Sequence, residues 1–168
     1  EKELWRVFTS LSNFSKRNKI TSALNPKRDR REKLLAFKKT PDTAVVLDAN
    51  QRLMNMEDVD RELEELKPEI ADLESKLAEQ DNEKHKTITK RDLEDCLRSL
   101  GKTATRPELE DMIWEVDEKM DNVVDWFEFK LTYQRNLADT TGLEPHQLFD
   151  IIQFMLYDKD GSGKVTVD

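Results

Sequence analysis

The sequence predicts an all-α chain. After residue 48, apolar residues recur every three or four positions, the spacing that places them on one helix face. Side chains that cap helix starts precede several of these runs. An alternating strand pattern is absent beyond three short loop segments. We therefore expect helices joined by short loops.

Composition limits the class of protein. Of 168 residues, 36% are hydrophobic and 38% are charged, which disfavours one compact core running through the whole chain. No apolar run approaches the roughly 20 residues that a membrane span needs, so no span is expected. Cys96 is the single cysteine and cannot form an internal disulfide, which favours a reduced, cytoplasmic setting.

Charge is distributed unevenly along the chain. Ten basic and two acidic residues between Lys16 and Lys39 give that segment a net charge of +8. Residues 1–15 are neutral and the whole chain carries −8, so the residues after Lys39 carry −16. The basic segment is polar and contains Pro26, with Pro41 beyond it, and it can bury little apolar surface. We expect residues 1–47 to be an extended basic arm that orders against a partner.

One short helical turn or two are expected near the start of this arm. The spacing there places Leu4, Trp5, Phe8 and Leu11 on one helix face.

Asp48 predicts the start of a linker helix over residues 48–67. Gln51 lies three residues later, as in a capping box. Apolar residues then follow a heptad spacing: Met56, Val59, Leu63, Leu66, Ile70, Leu73 and Leu77. That spacing suits a coiled coil, but Pro68 favours two helices, 48–66 and 68–80, with ordinary amphipathic packing.

The later helices have clear boundaries. Thr89 caps a helix that Gly101 ends, and Thr105 with Glu108 forms a capping box for the next. Asp125 opens another helix. After Pro145 follows a strongly apolar helix, whose apolar residues are Leu148, Phe149, Ile151, Ile152, Phe154, Met155 and Tyr157.

The segment after this helix has the ligand spacing of a calcium loop. Such a loop offers oxygens from positions 1, 3, 5, 7, 9 and 12, with Gly at position 6. Residue 158 is position 1 and Gly163 is position 6. The predicted Ca²⁺ ligands are Asp158, Asp160, Ser162, the backbone carbonyl of Lys164, and Thr166. Position 12 would be residue 169. We therefore expect the full protein to continue through the rest of this loop and a further helix–loop–helix unit.

Residues 70–133 resemble calmodulin-like members of the EF-hand superfamily without insertion or deletion. Thr87-Ile-Thr89 resembles the second half of a first loop, and Asp125-Trp-Phe-Glu-Phe129 resembles the end of a second. The second entering helix is similar over Glu108-Leu-Glu-Asp-Met-Ile-Trp-Glu-Val-Asp117. The resemblance implies a degenerate EF-hand pair at 68–137 and a third hand, truncated in its loop, at 138–168.

Loop one, residues 81–92, departs from the calcium pattern. Position 5 is His85 and position 6 is Lys86, whose ammonium would lie beside the ion. Asp92 at position 12 is one methylene shorter than the usual Glu. We expect no calcium in this loop and an exposed His85.

Loop two, residues 117–128, keeps more of the calcium-ligand pattern than loop one does. The candidate ligands at positions 1, 5, 9 and 12 are Asp117, Asp121, Asp125 and Glu128. Lys119 replaces the ligand at position 3, and its ammonium could pair with these carboxylates in place of a metal. An ion-free loop is the preferred interpretation and weak binding is the alternative.

Partner contacts are expected from two aromatic side chains, Trp5 and Trp114, of which Trp114 lies on the outer face of its helix, and from the basic arm. The candidate cations are Lys16, Arg17, Lys19, Lys27, Arg28, Arg30, Arg31 and Lys33. A solvated tail and nucleic acid are the alternatives for the arm, but no nucleic-acid recognition module accompanies it. An acidic protein surface, such as a microtubule, is the preferred partner.

Two functions follow from the resemblance. The first is a structural or adaptor protein, similar to cytoskeletal and axonemal EF-hand proteins, that binds its partner without calcium through its first two hands. The second is a calcium sensor acting through the third hand and an unseen fourth. No motif pairs a nucleophile with a base, so an enzyme is not expected. The expected location is the cytoplasm, on the cytoskeleton or a ciliary axoneme.

Overall fold

The computed structural model describes residues 1–41, 45–82 and 84–165. Its elements, in chain order, are α1 Lys2–Leu11, α2 Phe14–Lys39, α3 Met56–Asp81, β1 Ile88–Thr89, α4 Lys90–Ser99, α5 Arg106–Trp114, β2 Val123–Val124, α6 Trp126–Ala138 and α7 Gln147–Tyr157. The chain is mostly helical with one small sheet, which confirms the all-α prediction at that level. Within the described ranges, no helix has the length and hydrophobicity to cross a membrane.

The chain divides into two compact units. Residues 17–82 form the first, here called the hairpin unit, and residues 1–16 with 83–168 form the second, here called the loop unit. The predicted boundary near residue 47 therefore falls inside the hairpin unit.

The extended arm predicted for residues 1–47 is wrong, because α1 and α2 account for most of that segment. Four apolar residues of α1 are buried in the loop unit: Leu4, Val7, Phe8 and Leu11. Helix α2 gains its order from α3, which supplies the apolar and acidic surface that the basic segment lacks.

Helices α2 and α3 run antiparallel in the hairpin unit. Ion pairs join them in reversed order: Arg17–Asp81, Arg28–Glu74, Lys27–Glu69, Arg30–Glu62 and Lys38–Asp60. The ten basic and two acidic residues of α2 give it +8, and the eleven acidic and three basic residues of α3 give it −8. The buried core beneath these pairs is narrow and consists of Leu24, Leu34, Val46, Val59, Leu66 and Ile70.

The two helices predicted on either side of Pro68 are one helix, α3, with Pro68 inside it. Leu66 and Ile70 flank the proline and are buried in the same core, so packing on both sides holds the helix through the missing hydrogen bond. The helix starts at Asn55, whose side chain accepts the N–H of Asp58. Asp48 instead accepts N–H bonds from residues 50 and 52 within a turn.

The heptad stripe of α3 packs in the hairpin core. Ile70 is buried there, and Leu73 and Leu77 are partly buried against it. These three residues fall within the range 68–137 for which the resemblance had implied an EF-hand pair.

The loop unit has the larger core. Fifteen buried residues form it: Leu4, Val7, Phe8, Leu11, Ile88, Leu93, Cys96, Leu97, Leu109, Ile113, Val116, Val124, Phe129, Leu148 and Ile152. Rings of Phe8, Trp126 and Phe129 contact one another at centroid distances of 5.3–6.0 Å. Helix α1 packs against α4, α6 and α7, so the N-terminal segment is an integral part of this core.

The predicted caps of α4, α5 and α6 are confirmed. Thr89, Thr105 and Asp125 each accept an N–H bond from the third residue of the helix that follows. In all three caps an acidic side chain at that residue bonds back to the cap, completing a capping box. Gly101 has a φ of +72° just after α4, the left-handed conformation that ends helices.

Candidate functional site

Residues 84–92 of loop one lie beside loop two in the loop unit. Strands β1 and β2 pair antiparallel, with Ile88 opposite Val124 and Thr89 opposite Val123. Ile88 and Val124 are both the eighth residue of their loops, and both are fully buried. The pairing therefore joins the two loops through equivalent positions.

The carboxylate of Asp92 ends loop one and is already occupied. The side chain is 3% exposed. One oxygen accepts the N–H of Thr89 at 2.9 Å and its hydroxyl at 2.6 Å. The other accepts the N–H of Ser15, near the start of α2, at 2.8 Å. Asp92 thus ties the N-terminal segment to loop one, a contact that no sequence pattern indicated.

Among the other described residues of loop one, the carboxylate of Asp81 pairs with Arg17. His85 is exposed, as expected, and Lys86 is half-buried. Glu83 at position 3 lies outside the described residues.

Loop two is closed by its own backbone donors. Glu128 is 1% exposed; one oxygen accepts the N–H of Asp125 at 3.0 Å and the other that of Lys119 at 3.1 Å. Asp117 accepts the N–H of Asp121 at 3.2 Å and that of Asn122 at 2.7 Å. These bonds hold the turn, in which Asn122 has a φ of 62°.

The ammonium of Lys119 contacts the carboxylate of Asp125. The hydrogen bond to Asp125 raises the pKa of Lys119. Burial raises the pKa of Asp125, but the bond from Lys119 and backbone N–H bonds outweigh it, so that the net change lowers this pKa. A cation of the chain therefore neutralises one of the four carboxylates predicted as calcium ligands.

Loop three gathers oxygens around Ser162. Asp158 is buried and accepts the N–H of Ser162 at 2.9 Å and that of Gly163 at 2.8 Å. Asp160 accepts the same Ser162 N–H at 3.1 Å, and hydrogen bonding by Ser162 lowers the pKa of Asp160. The Ser162 hydroxyl donates to the Lys164 carbonyl at 3.2 Å. Thr166 lies outside the described residues.

These groups fit a calcium ion in part. Two carboxylates, one hydroxyl and one carbonyl lie within a single turn, whereas Ca²⁺ takes six to eight oxygens. Gly163 has a φ of +73° at position 6, which is the conformation this loop type requires. In the part of the chain that is described, no three His, Cys, Asp or Glu side chains are grouped as a metal site would need.

The two predicted partner tryptophans line different grooves of the loop unit. Trp114 is 75% exposed at the end of α5, beside a groove of about 440 Å³. Trp5 is 43% exposed, and its ring meets that of Trp126 edge-on at 4.8 Å.

The predicted cations divide into two groups. Four are paired with carboxylates of α3: Arg17, Lys27, Arg28 and Arg30. The other four form no ion pair with any described residue: Lys16, Lys19, Arg31 and Lys33. The charge of −8 over residues 56–81 was the sequence signal that could have identified this internal pairing.

Sequence reasoning missed a second aromatic surface in the loop unit. Phe127 is 63% exposed beside Trp126 in the first turn of α6. Adjacent aromatic residues directly after a helix cap were the available signal, because the first turn of a helix cannot bury both.

No model of a known protein family matches the chain.

Proposed function

We propose that this chain is an EF-hand-like scaffold whose first two loops need no calcium to fold and whose loop unit binds a partner protein. The observation that carries the proposal is the state of Asp92 and Glu128. Both end their loops at position 12, the place of the bidentate calcium ligand. Both are buried, and both accept hydrogen bonds from N–H groups of the chain.

The core of the loop unit supports constitutive folding. The apolar side chains of α1 lie in the same core as those of α4 to α7, so the inner faces of these helices are covered by the chain itself. A calcium-triggered pair exposes such faces when the ion binds. Here α1 already occupies that space.

The proposed partner is a protein, and a cytoskeletal filament such as an axonemal microtubule is one form that it could take. Ion pairing to α3 reduces the charge that the basic segment can offer to a filament. The filament version of the proposal rests on Lys16, Lys19, Arg31 and Lys33. Co-sedimentation with microtubules tests it: reversal of these four charges should abolish pelleting, and equal pelleting of both forms would remove the filament.

Folding in a chelator tests the scaffold. Near-ultraviolet circular dichroism in EGTA should show the ordered signal of Trp5 and Trp126, which lie in ring contacts of the core. In a D158A/D160A variant, which lacks the loop-three carboxylates, added Ca²⁺ should leave the thermal midpoint of the loop unit unchanged. A loop unit that lost its aromatic signal in EGTA and regained it with Ca²⁺ would overturn the proposal.

Calcium sensing through loop three is the second candidate. It is favoured by the convergence of Asp158, Asp160 and the Lys164 carbonyl on Ser162. Calorimetry should detect weak binding that D158A and D160A remove, while D117A leaves it unchanged. Binding that survives D158A with D160A would exclude loop three.

A further inference from the structure

We propose that a groove formed by Trp5, Trp126, Phe127 and the segment 84–87 binds an acidic segment of a partner protein that carries an aromatic or large apolar side chain. The groove has a volume of about 520 Å³ and lies within the loop unit. This inference names the partner class of the proposed protein-binding function and rests on that function.

The aromatic side of the groove is a preformed anchor site. Phe127 is 63% exposed and Trp5 is 43% exposed, although Trp5 contacts the rings of Phe8 and Trp126. A ring that is held by a packed core and open to solvent, as that of Trp5 is, loses little freedom on binding. Such aromatic residues carry much of the energy of protein interfaces.

The same lining also offers positive charge. Lys84 and Lys86 line the groove and form no ion pair with any residue in the described ranges. Of the two carboxylates in the lining, Asp125 is paired with Lys119, and Asp121 accepts the N–H of Val123. Within the described residues, two ammonium groups and one carboxylate of the lining are outside any ion pair, which leaves this part of the groove cationic, so its electrostatic complement is acidic.

An acidic protein segment suits this groove better than nucleic acid does. A nucleic-acid site needs a cationic track along the phosphate backbone as well as rings on which bases stack. Among the described residues, the lysines in the lining are Lys84 and Lys86, which are too few for such a track, and Asp121 lies in the same lining.

Peptide binding to the full chain in EGTA tests the groove. The probe is a short peptide of Glu and Gly with one central Phe, titrated by calorimetry. We expect saturable binding that weakens about tenfold when the peptide Phe is replaced by Ala. The protein variant F127A should weaken it by a similar factor, whereas W114A, which removes an exposed ring elsewhere, should not.

The lysines are tested with a charge-matched control. The double variant K84A/K86A should weaken binding about three- to tenfold, since each exposed ion pair contributes modestly. The pair K102A/K159A removes the same charge from exposed sites outside the groove and should leave affinity within about twofold. Equal losses of affinity in the two double variants would show that the peptide responds only to net charge, and would contradict binding in the groove.

Two further outcomes also decide the matter. Absence of peptide binding, or tighter binding of a short oligothymidine that the same groove variants remove, would overturn the proposal. In either case an intact aromatic circular dichroism signal in EGTA would leave the calcium-independent scaffold standing. Loss of that signal in EGTA would instead count against the scaffold.

Discussion

In the hairpin unit, two helices of opposite charge meet along a narrow apolar stripe, whereas in the loop unit five helices enclose an aromatic core. Six buried apolar residues support the first and fifteen support the second. Ion pairs between partly exposed side chains contribute little each, so the hairpin depends on many weak contacts in register. The loop unit depends on a few buried groups whose loss is expensive.

Acidic side chains also act differently in the two units. Those of α3 form ion pairs with cations of α2 at the surface, and these pairs favour the antiparallel arrangement of the two helices. Asp92 and Glu128 are buried and satisfy backbone donors, so they hold loops in shape. The comparison teaches that the same residue type orients helices in one unit and closes turns in the other.

The largest effect is expected from F8A. Phe8 is fully buried and contacts the rings of Trp126 and Phe129, so its loss should destabilise the loop unit by about 3–5 kcal/mol. Near-ultraviolet circular dichroism during thermal unfolding measures this. F127A, at an exposed ring, should cost under about 1 kcal/mol. A loss of hairpin helicity equal to that of the loop unit would contradict the separation of the two units.

A smaller loss is expected from D92A. Removing this carboxylate leaves the N–H groups of Ser15 and Thr89 without their acceptor, at a cost of about 2–3 kcal/mol. Urea unfolding followed by tryptophan fluorescence measures it. D95A removes a neighbouring carboxylate that pairs with Arg98 at the surface and should change stability by less than about 0.5 kcal/mol. Equal effects would mean that Asp92 is not a structural acceptor.

The hairpin predicts a coupling of about 1 kcal/mol between Arg30 and Glu62. The guanidinium meets both carboxylate oxygens, at 2.6 and 2.8 Å, and the hydrogen bond to Glu62 raises the pKa of Arg30. A double-mutant cycle with R30A and E62A measures the coupling by urea unfolding. The more exposed pair of Lys38 and Asp60 is the control, with a coupling near about 0.3 kcal/mol. Couplings independent of salt would contradict a charge-based hairpin.

The smallest effect concerns Asp139, after α6. The hydroxyl and N–H of Thr141, and then the N–H of Glu144, lower the pKa of Asp139 to about 2. Because the folded pKa lies below the ordinary value of 3.8, the contribution to stability is complete above that value and is lost as pH falls toward 2. NMR titration of the carboxyl carbon should give this midpoint, and T141A should raise it. An unshifted midpoint would contradict the role of Asp139 as a hydrogen-bond acceptor in this turn.

Local sequence signals predicted helix boundaries well where a side chain hydrogen-bonds to backbone groups a few residues away. The boundaries of α4, α5 and α6 follow from Thr89, Thr105 and Asp125, because a capping box lies within four consecutive residues. The turn after α4 follows from Gly101, because glycine readily adopts the left-handed conformation that ends a helix. The exposure of Trp114 followed from its place on the outer face of α5.

Prediction failed where distant segments meet. Pro26 and Pro68 read as helix breaks, yet both lie inside helices of the hairpin unit, whose packing compensates for the missing bonds. The basic segment was predicted to be an extended arm that binds a partner protein. Several of its cations instead form ion pairs with α3 of the same chain. The hydrogen bond between Ser15 and Asp92 joins residues 77 positions apart, and no local sequence pattern predicts it.

The sequence alone determined the helical class, the caps, and the substitution of cations into the first two loops, because each depends on residues a few positions apart. Only the tertiary structure decided that α1 belongs to the core, that α2 pairs with α3, and where the carboxylates of Asp92 and Glu128 point. Those choices depend on which distant surfaces bury apolar area and neutralise charge together. That matching is a property of two segments at once and cannot be read from either one.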